Sequence, residues 1–258
     1  MGFFYAHTLI DCTFAIVKHI ILILLTSISF VSLRSQESPE RYDSRFDSIQ
    51  KTTVDSLYLE DQFYVGFGFN LLLDKPEGFS QNGFSGGLHL GYIRDIPINK
   101  RRNFGFGIGV GWSINTYNQN LFIGEKETEQ TIFNVVDRGD LDVNTNRFST
   151  YLIETPLELR WRTSTATDYK FWRIYAGVRL GYIYHFKSKF EQPNNAVNQT
   201  QLDELNRFRV AGTFTFGYNV FNFSFYYSLN PLFDGTLEDE NTPVNLVPLK
   251  IGLMFYIL

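Results

Sequence analysis

Residues Phe104 to Ile114 read FGFGIGVGWSI. Every even position there is large and apolar, and every odd position is Gly or Ser. A period of two places alternate side chains on opposite faces of a β-strand. Neither face suits a soluble strand. The large face is too uniformly apolar for water, and the small face cannot fill a core. Large residues directed to lipid and small ones directed to the interior of a barrel satisfy both faces.

The pattern extends outward from this stretch. Residues 63–71 (FYVGFGFNL) set Phe63, Val65, Phe67, Phe69 and Leu71 against Tyr64, Gly66, Gly68 and Asn70. Residues 221–229 (FNFSFYYSL) set Phe221, Phe223, Phe225, Tyr227 and Leu229 against Asn222, Ser224, Tyr226 and Ser228. Eight such segments are expected, near 62–73, 83–96, 102–115, 147–162, 171–189, 207–219, 221–232 and 247–257. Each is about the ~9–11 residues that a tilted membrane strand needs, or somewhat longer. With 26 Phe, 15 Tyr and 20 Gly but mean hydropathy close to zero, the composition excludes a stack of membrane helices. It fits an all-β, eight-stranded antiparallel outer-membrane barrel. In that setting Ile108→Arg should be costly and Gly109→Ser mild.

Connection lengths and charge orient this barrel. Short connections (PINKR, then TSTATDYK, then the turn around Val220) alternate with long ones. Membrane barrels carry short periplasmic turns and long external loops, so both termini are expected in the periplasm. The two charged short-turn regions, 94–103 and 160–173, hold eight bases and two acids. The four long loops, 74–82, 116–146, 190–206 and 233–246, hold fifteen acids and three bases. Trp161 and Trp172 fall at the short-turn interface, and Trp112, Tyr182 and Tyr184 at the opposite girdle, where amphipathic rings are favoured.

The N-terminal part reads differently. Ile20 to Leu33 (IILILLTSISFVSL) follows Lys18 and His19; fourteen apolar residues are too few for a spanning helix and suit a signal-peptide core. Residues 1–35 are therefore expected as a signal peptide whose start codon lies further downstream than Met1. Residues 36–61, polar and acidic, form a periplasmic lead-in, and 62–258 the barrel domain. Cys12, the single cysteine, precedes the apolar core, so the mature chain would be free of cysteine and of disulfides.

Inward projection of the alternation gives a charged lumen: Glu154, Glu158, Arg160, Arg162, Arg179, His185, Lys187, Arg207, Arg209 and Lys250. An eight-stranded barrel is just wide enough for its side chains to fill, and charges packed there must be paired. A lumenal network of Glu154, Glu158, Arg160 and Arg179 is expected. A basic aromatic rim of Arg160, Arg162, Lys170, Arg173, Trp161 and Trp172 is a candidate docking surface at the short-turn end, beside its simpler use as a headgroup anchor. No His, Cys or carboxylate cluster has metal-ligand spacing, no phosphate loop occurs, and neither a catalytic residue nor a cofactor is indicated. After signal removal only His89 and His185 remain, and no carboxylate stands beside either in sequence. With a net charge of −4, nucleic acid is not an expected partner, and no small-molecule substrate is evident. Outer-membrane lipid is.

Two stretches go beyond fold class. ETPLELRWRTS from Glu154, followed by YKFWRIYAGVRLGY to Tyr182, and the closing LVPLKIGLMFYIL resemble the PorT family, small outer-membrane barrels of the type IX secretion and gliding machinery. The resemblance is tightest over residues 150–190 and 245–258. Thr155, where Ile is the family's habit, and the terminal Leu258 in place of an aromatic are departures. The resemblance implies a non-catalytic accessory or assembly role in protein secretion, with other secretion proteins as partners. The alternative is a generic small outer-membrane barrel, either a minor channel or a structural, surface-interacting protein.

Overall fold

The computed structural model describes residues 62–99, 101–125, 131–136, 143–163, 171–238 and 242–257. The expected signal peptide, the lead-in and Lys170 lie outside these residues. Eleven strands follow in order: β1 (Gln62–Leu73), β2 (Gly86–Pro97), β3 (Phe104–Asn118), β4 (Leu121–Glu125), β5 (Thr131–Val135), β6 (Thr145–Arg162), β7 (Trp172–Gln192), β8 (Asn195–Gln199), β9 (Phe208–Tyr218), β10 (Phe221–Ser228) and β11 (Val247–Ile257). Eight of them, β1, β2, β3, β6, β7, β9, β10 and β11, form a closed antiparallel barrel. The seam pairs β1 with β11 from Phe63↔Ile257 to Leu73↔Val247. Closure leaves the wall no edge with bare backbone groups, the condition for β-structure in hydrocarbon.

The wall is sided as the alternation demands. Phe104, Ile108 and Val110 of β3 point outward and are exposed, as are Phe63, Phe67 and Phe69 of β1 and Phe221 and Phe223 of β10. The short-turn end carries residues 98–99, 101–103, 163, 171 and 219–220, the last a two-residue turn with Asn219 at φ 56°. At the other end β4 and β5 pair as a separate hairpin, and β8 pairs with the upper part of β7 beyond the barrel proper.

Inside, packing differs with height. At the long-loop end Leu72, Tyr117, Leu121, Phe133, Phe148, Phe186, Phe233 and Leu246 belong to one buried apolar cluster that closes the mouth. Phe148 stacks on Tyr117 and on Phe186, at 4.8 and 5.8 Å between centroids. Toward the short-turn end Tyr64, Ile93, Tyr175, Met254 and Tyr256 form a second cluster.

The glycines of β3 make room for these fillers. A Cβ at Gly111 would collide with the Tyr64 hydroxyl, and one at Gly107 would lie 2.7 Å from Arg160 Cδ. A Cβ at Gly109 would run into the Tyr92 carbonyl oxygen and the Ile93 backbone. That overturns the expectation that Gly109→Ser is mild, since backbone cannot move aside as a side chain can.

Parity fails at one place. Tyr151 of β6 pairs with His185 but Leu152 pairs with Ile183, so β7 carries an extra residue at Tyr184. Such a bulge inserts one residue in one strand and reverses the facing of all that follows. Ile183 points in below it, and Phe186, Ser188 and Phe190 point in above it. His185 and Lys187, expected in the lumen, therefore stand on the outer surface.

Candidate functional site

The charged side chains of the lumen come from β2, β6, β7, β9 and β11. Parity on β2 sends His89, Gly91, Ile93 and Asp95 inward, and parity on β6 does the same for Glu154, Glu158, Arg160 and Arg162. From mid-height to the short-turn end they make an alternating ladder. His89 Nδ1 lies 3.5 Å from Glu154 Oε2, and Arg179 Nη1 lies 3.8 Å from the same oxygen. Arg179 Nη2 reaches Glu158 Oε1 at 3.8 Å, and Glu158 Oε2 is 3.9 Å from Arg160 Nε. Arg160 Nη1 then donates to Asp95 Oδ1 at 3.3 Å, and Arg162 Nη1 to Asp95 Oδ2 at 2.6 Å. Arg162 Nε ends the series on the Arg102 carbonyl at 2.8 Å. The lower rungs are hydrogen bonds; the upper ones are looser ion pairs. Glu154, Glu158, Arg160 and Arg179 are thus brought into one network, with Asp95 and His89 as further members.

Aromatic rings complete the lining. The Arg160 guanidinium sits 4.1 Å from the Tyr175 centroid and also donates to the Gln62 side-chain oxygen; Arg179 lies 5.5 Å from the Tyr64 centroid. Such rings favour a cation over their faces, more so when desolvated. They matter because, among the described residues, six buried bases (Arg160, Arg162, Arg173, Arg179, Arg209, Lys250) face three buried carboxylates (Asp95, Glu154, Glu158). The surplus is met by neutral acceptors. Arg173 donates to the Asn219 carbonyl at 2.9 Å. Arg209 donates to Ser228 Oγ at 2.5 Å and to the Asn230 carbonyl at 2.6 Å. Lys250 Nζ is 4.1 Å from the Tyr226 centroid. Arg207, at the top of the wall, donates to the Ile183 carbonyl at 3.4 Å.

The expected docking rim does not form. Arg160, Arg162 and Arg173 are 1%, 2% and 3% exposed and point into the lumen, because inward parity on β6 and β7 runs to the strand ends. Trp161 and Trp172 alternate with them and so take the outer wall, where Trp172 packs on Tyr218 at 5.4 Å. Among the described residues, the arginines and the tryptophans of the expected rim thus face opposite environments.

Sequence reasoning assigned Asp95 to the turn; it placed Tyr64 and Tyr226 on the inward face but named neither them nor Tyr175 and Tyr256 as lumen fillers. The usable signal was parity: Asp95 is in phase with His89, and each tyrosine with the small residues of its strand. A cavity of about 20 Å³ at mid-height, lined by His89, Arg179, Tyr226 and Lys250 among others, has room for little more than one water.

Comparison with known proteins agrees with this architecture. Residues 35–234 match the outer membrane protein beta-barrel domain family. Among solved structures, the chain is similar to Ail, the attachment invasion locus protein of Yersinia pestis, crystallised in complex with the heparin analogue sucrose octasulfate. The identity is 12%, 78% of this chain and 100% of that one are covered, and the TM-score is 0.30. A second similar structure comes from work on asymmetric conductivity of engineered proteins, at 9% identity, the same coverages and a TM-score of 0.20. No curated protein matches the chain significantly. The match over most of the chain and the closed, lipid-faced eight-stranded wall give one conclusion: the chain belongs to the outer membrane protein beta-barrel domain family and is an integral outer-membrane protein.

Proposed function

We propose that this barrel is a non-catalytic and non-conducting accessory or assembly component of type IX protein secretion, with its short turns and both barrel termini in the periplasm. The observation that carries the non-conducting part is the filled lumen. An apolar cluster closes the long-loop mouth, and below it the ladder from Glu154 to Arg162 crosses the remaining height. A barrel so filled passes neither a folded protein nor a hydrated solute, which leaves its surfaces as the means of acting. The secretion assignment is supported by the resemblance of ETPLELRWRTS and YKFWRIY to the PorT family. Those segments include Glu154, Glu158, Arg160, Arg162 and Arg173, so what is shared there is the lumen filling and not a docking face. The test is deletion of the gene and quantification of proteins released to the cell surface and medium. Loss of export restored by the wild-type gene supports the reading, and normal export rejects it.

A second reading, a structural or surface-interacting barrel, is favoured by the sheet that rises past the barrel. There β8 lengthens the β6–β7 hairpin, and Gln199 Nε2 donates to Glu125 Oε2 of β4 at 2.8 Å. It predicts normal export and altered surface attachment in the same deletion strain.

A further inference from the structure

The outer surface of β6 and β7 changes character abruptly with height. Going up β7, the outward residues are Trp172, Ile174, Ala176, Val178, Leu180 and Tyr182. Eleven residues from Trp172 to Tyr182 match the ~9–11 that cross the apolar band of a membrane at barrel tilt. At its upper edge Trp112 Nε1 donates to Tyr184 Oη at 2.6 Å, and Tyr151 packs 6.3 Å from Tyr184 and 5.2 Å from His185. Directly above this girdle the outward positions turn basic. The register pairs Tyr151↔His185, Ser149↔Lys187 and Arg147↔Lys189 put four bases on one patch. Arg147, His185 and Lys187 are exposed. Lys189 is held by Glu191 at 2.6 Å, and hydrogen bonds from Lys189 and Thr145, with a smaller pull from Arg147, keep the Glu191 carboxyl below its usual range. Neither Arg147 nor Lys187 forms an ion pair among the described residues. The patch exists because the Tyr184 bulge turns His185 and Lys187 out of the lumen.

We propose that Arg147 and Lys187, seated on the Trp112–Tyr151–Tyr184 girdle, bind the phosphate groups of lipid headgroups in the leaflet next to the long loops. Four facts converge. Lys187 lies three residues above Tyr184 and Arg147 four above Tyr151, just beyond the aromatic girdle. Its cations project from the lipid-facing wall and not from a loop. The surrounding long loops are strongly acidic, so a basic island there serves the membrane and not the loop surface. An Arg also offers a planar fork that matches a phosphate. In the orientation proposed above this leaflet is the outer one, whose lipid is phosphorylated lipid A. The site itself does not depend on that orientation.

The test uses full-length barrel purified in detergent and mixed with equal amounts of diphosphorylated and dephosphorylated lipid A, with retained lipid counted by native mass spectrometry. The wild-type barrel should retain the phosphorylated form preferentially. Each cation near a membrane surface contributes about five-fold in binding, so Arg147→Gln with Lys187→Gln should reduce the preference roughly twenty-five-fold. Both side chains are exposed, so the variant should fold, which heat-modified mobility on a gel checks. Retention of both lipids alike by the wild type, or an unchanged preference in the double variant, overturns the proposal. So does loss of the preference on adding millimolar inorganic phosphate, since the ligand would then be free phosphate and not lipid. Export by a deletion strain has no bearing on these outcomes, so this proposal and the secretion reading fail separately.

Discussion

Asp95 on β2 and Arg162 on β6 meet inside the barrel with Oδ2 and Nη1 2.6 Å apart, although 67 residues separate them in sequence. Asp95 also accepts from Arg160, so one buried carboxylate serves two buried guanidiniums. Asp95→Asn should leave both arginines under-compensated and cost about 3–5 kcal/mol, the usual penalty for breaking a buried pair. Urea unfolding of the barrel in micelles reads this directly. Adding Arg162→Met to Asp95→Asn should recover part of the loss. A loss under 1 kcal/mol for Asp95→Asn would mean that the ladder is solvated.

The outer wall gives a second contrast. Ile108 faces out on β3 and is 42% exposed. Ile108→Arg should cost about 2–4 kcal/mol near mid-membrane, while Ile108→Leu should stay within about 1.5 kcal/mol. Gly109→Ser, one residue away, should block barrel formation by its collision with β2 backbone. Equal tolerance at both positions, scored by folding into vesicles, would contradict the assigned facing.

Planar-bilayer recording tests the filled lumen. The reconstituted barrel should show no large, stable opening, and neither should a variant with the β4–β5 hairpin removed, because the charge ladder lies below the apolar cluster. Steady porin-like steps in the intact protein would return the channel alternative.

Topology is open to labelling, since Cys12 precedes the expected cleavage region. Ala196→Cys on β8 and Asn99→Cys in the β2–β3 turn are both exposed. An impermeant maleimide added to whole cells should modify position 196 and spare position 99. The reverse pattern would invert the proposed orientation.

Deleting Tyr184 is a test of the bulge itself. With the extra residue gone, Ile183 would be followed directly by His185 in regular alternation, so Ile183, Phe186 and Phe190 stay inward and His185 and Lys187 outward. The apolar cluster at the mouth should therefore persist and the long loops stay as protease-resistant as in the wild type, whereas collapse of the mouth would show that the bulge is not at Tyr184.

The barrel wall was legible because its two faces meet lipid and a packed lumen, which select opposite residue sizes along every strand. The strand ranges follow the alternation to within a few residues, and so does the closure. What escaped notice lay where that selection stops or changes phase. Above the membrane, LFIGE and TIFNV pair as β4 and β5 and contribute Leu121, Ile123 and Phe133 to the apolar cluster, but with no lipid face they show no alternation. His185 and Lys187 were misplaced because a bulge leaves no mark in composition, only in register. The rim was misread for a different reason: Arg160, Trp161 and Arg162 are neighbours in sequence, yet on a strand neighbours never share a face.

The seam has a kinetic consequence. The ladder is carried by β2, β6 and β7, neighbours in the wall through β3, whereas closure rests on eleven pairs between the first barrel strand and the last. Contacts within the ladder-bearing half form while the sheet is still open and wet, so its charges can pair before they are desolvated. Only the arrival of β11 seals them in. Joining the most distant strands of the domain incurs the greatest loop-closure entropy and is the slowest pairing to establish. Until then the sheet has two bare edges open to pairing with other strands. Substitutions along β11 should therefore slow closure, while those in the ladder should mainly hasten opening.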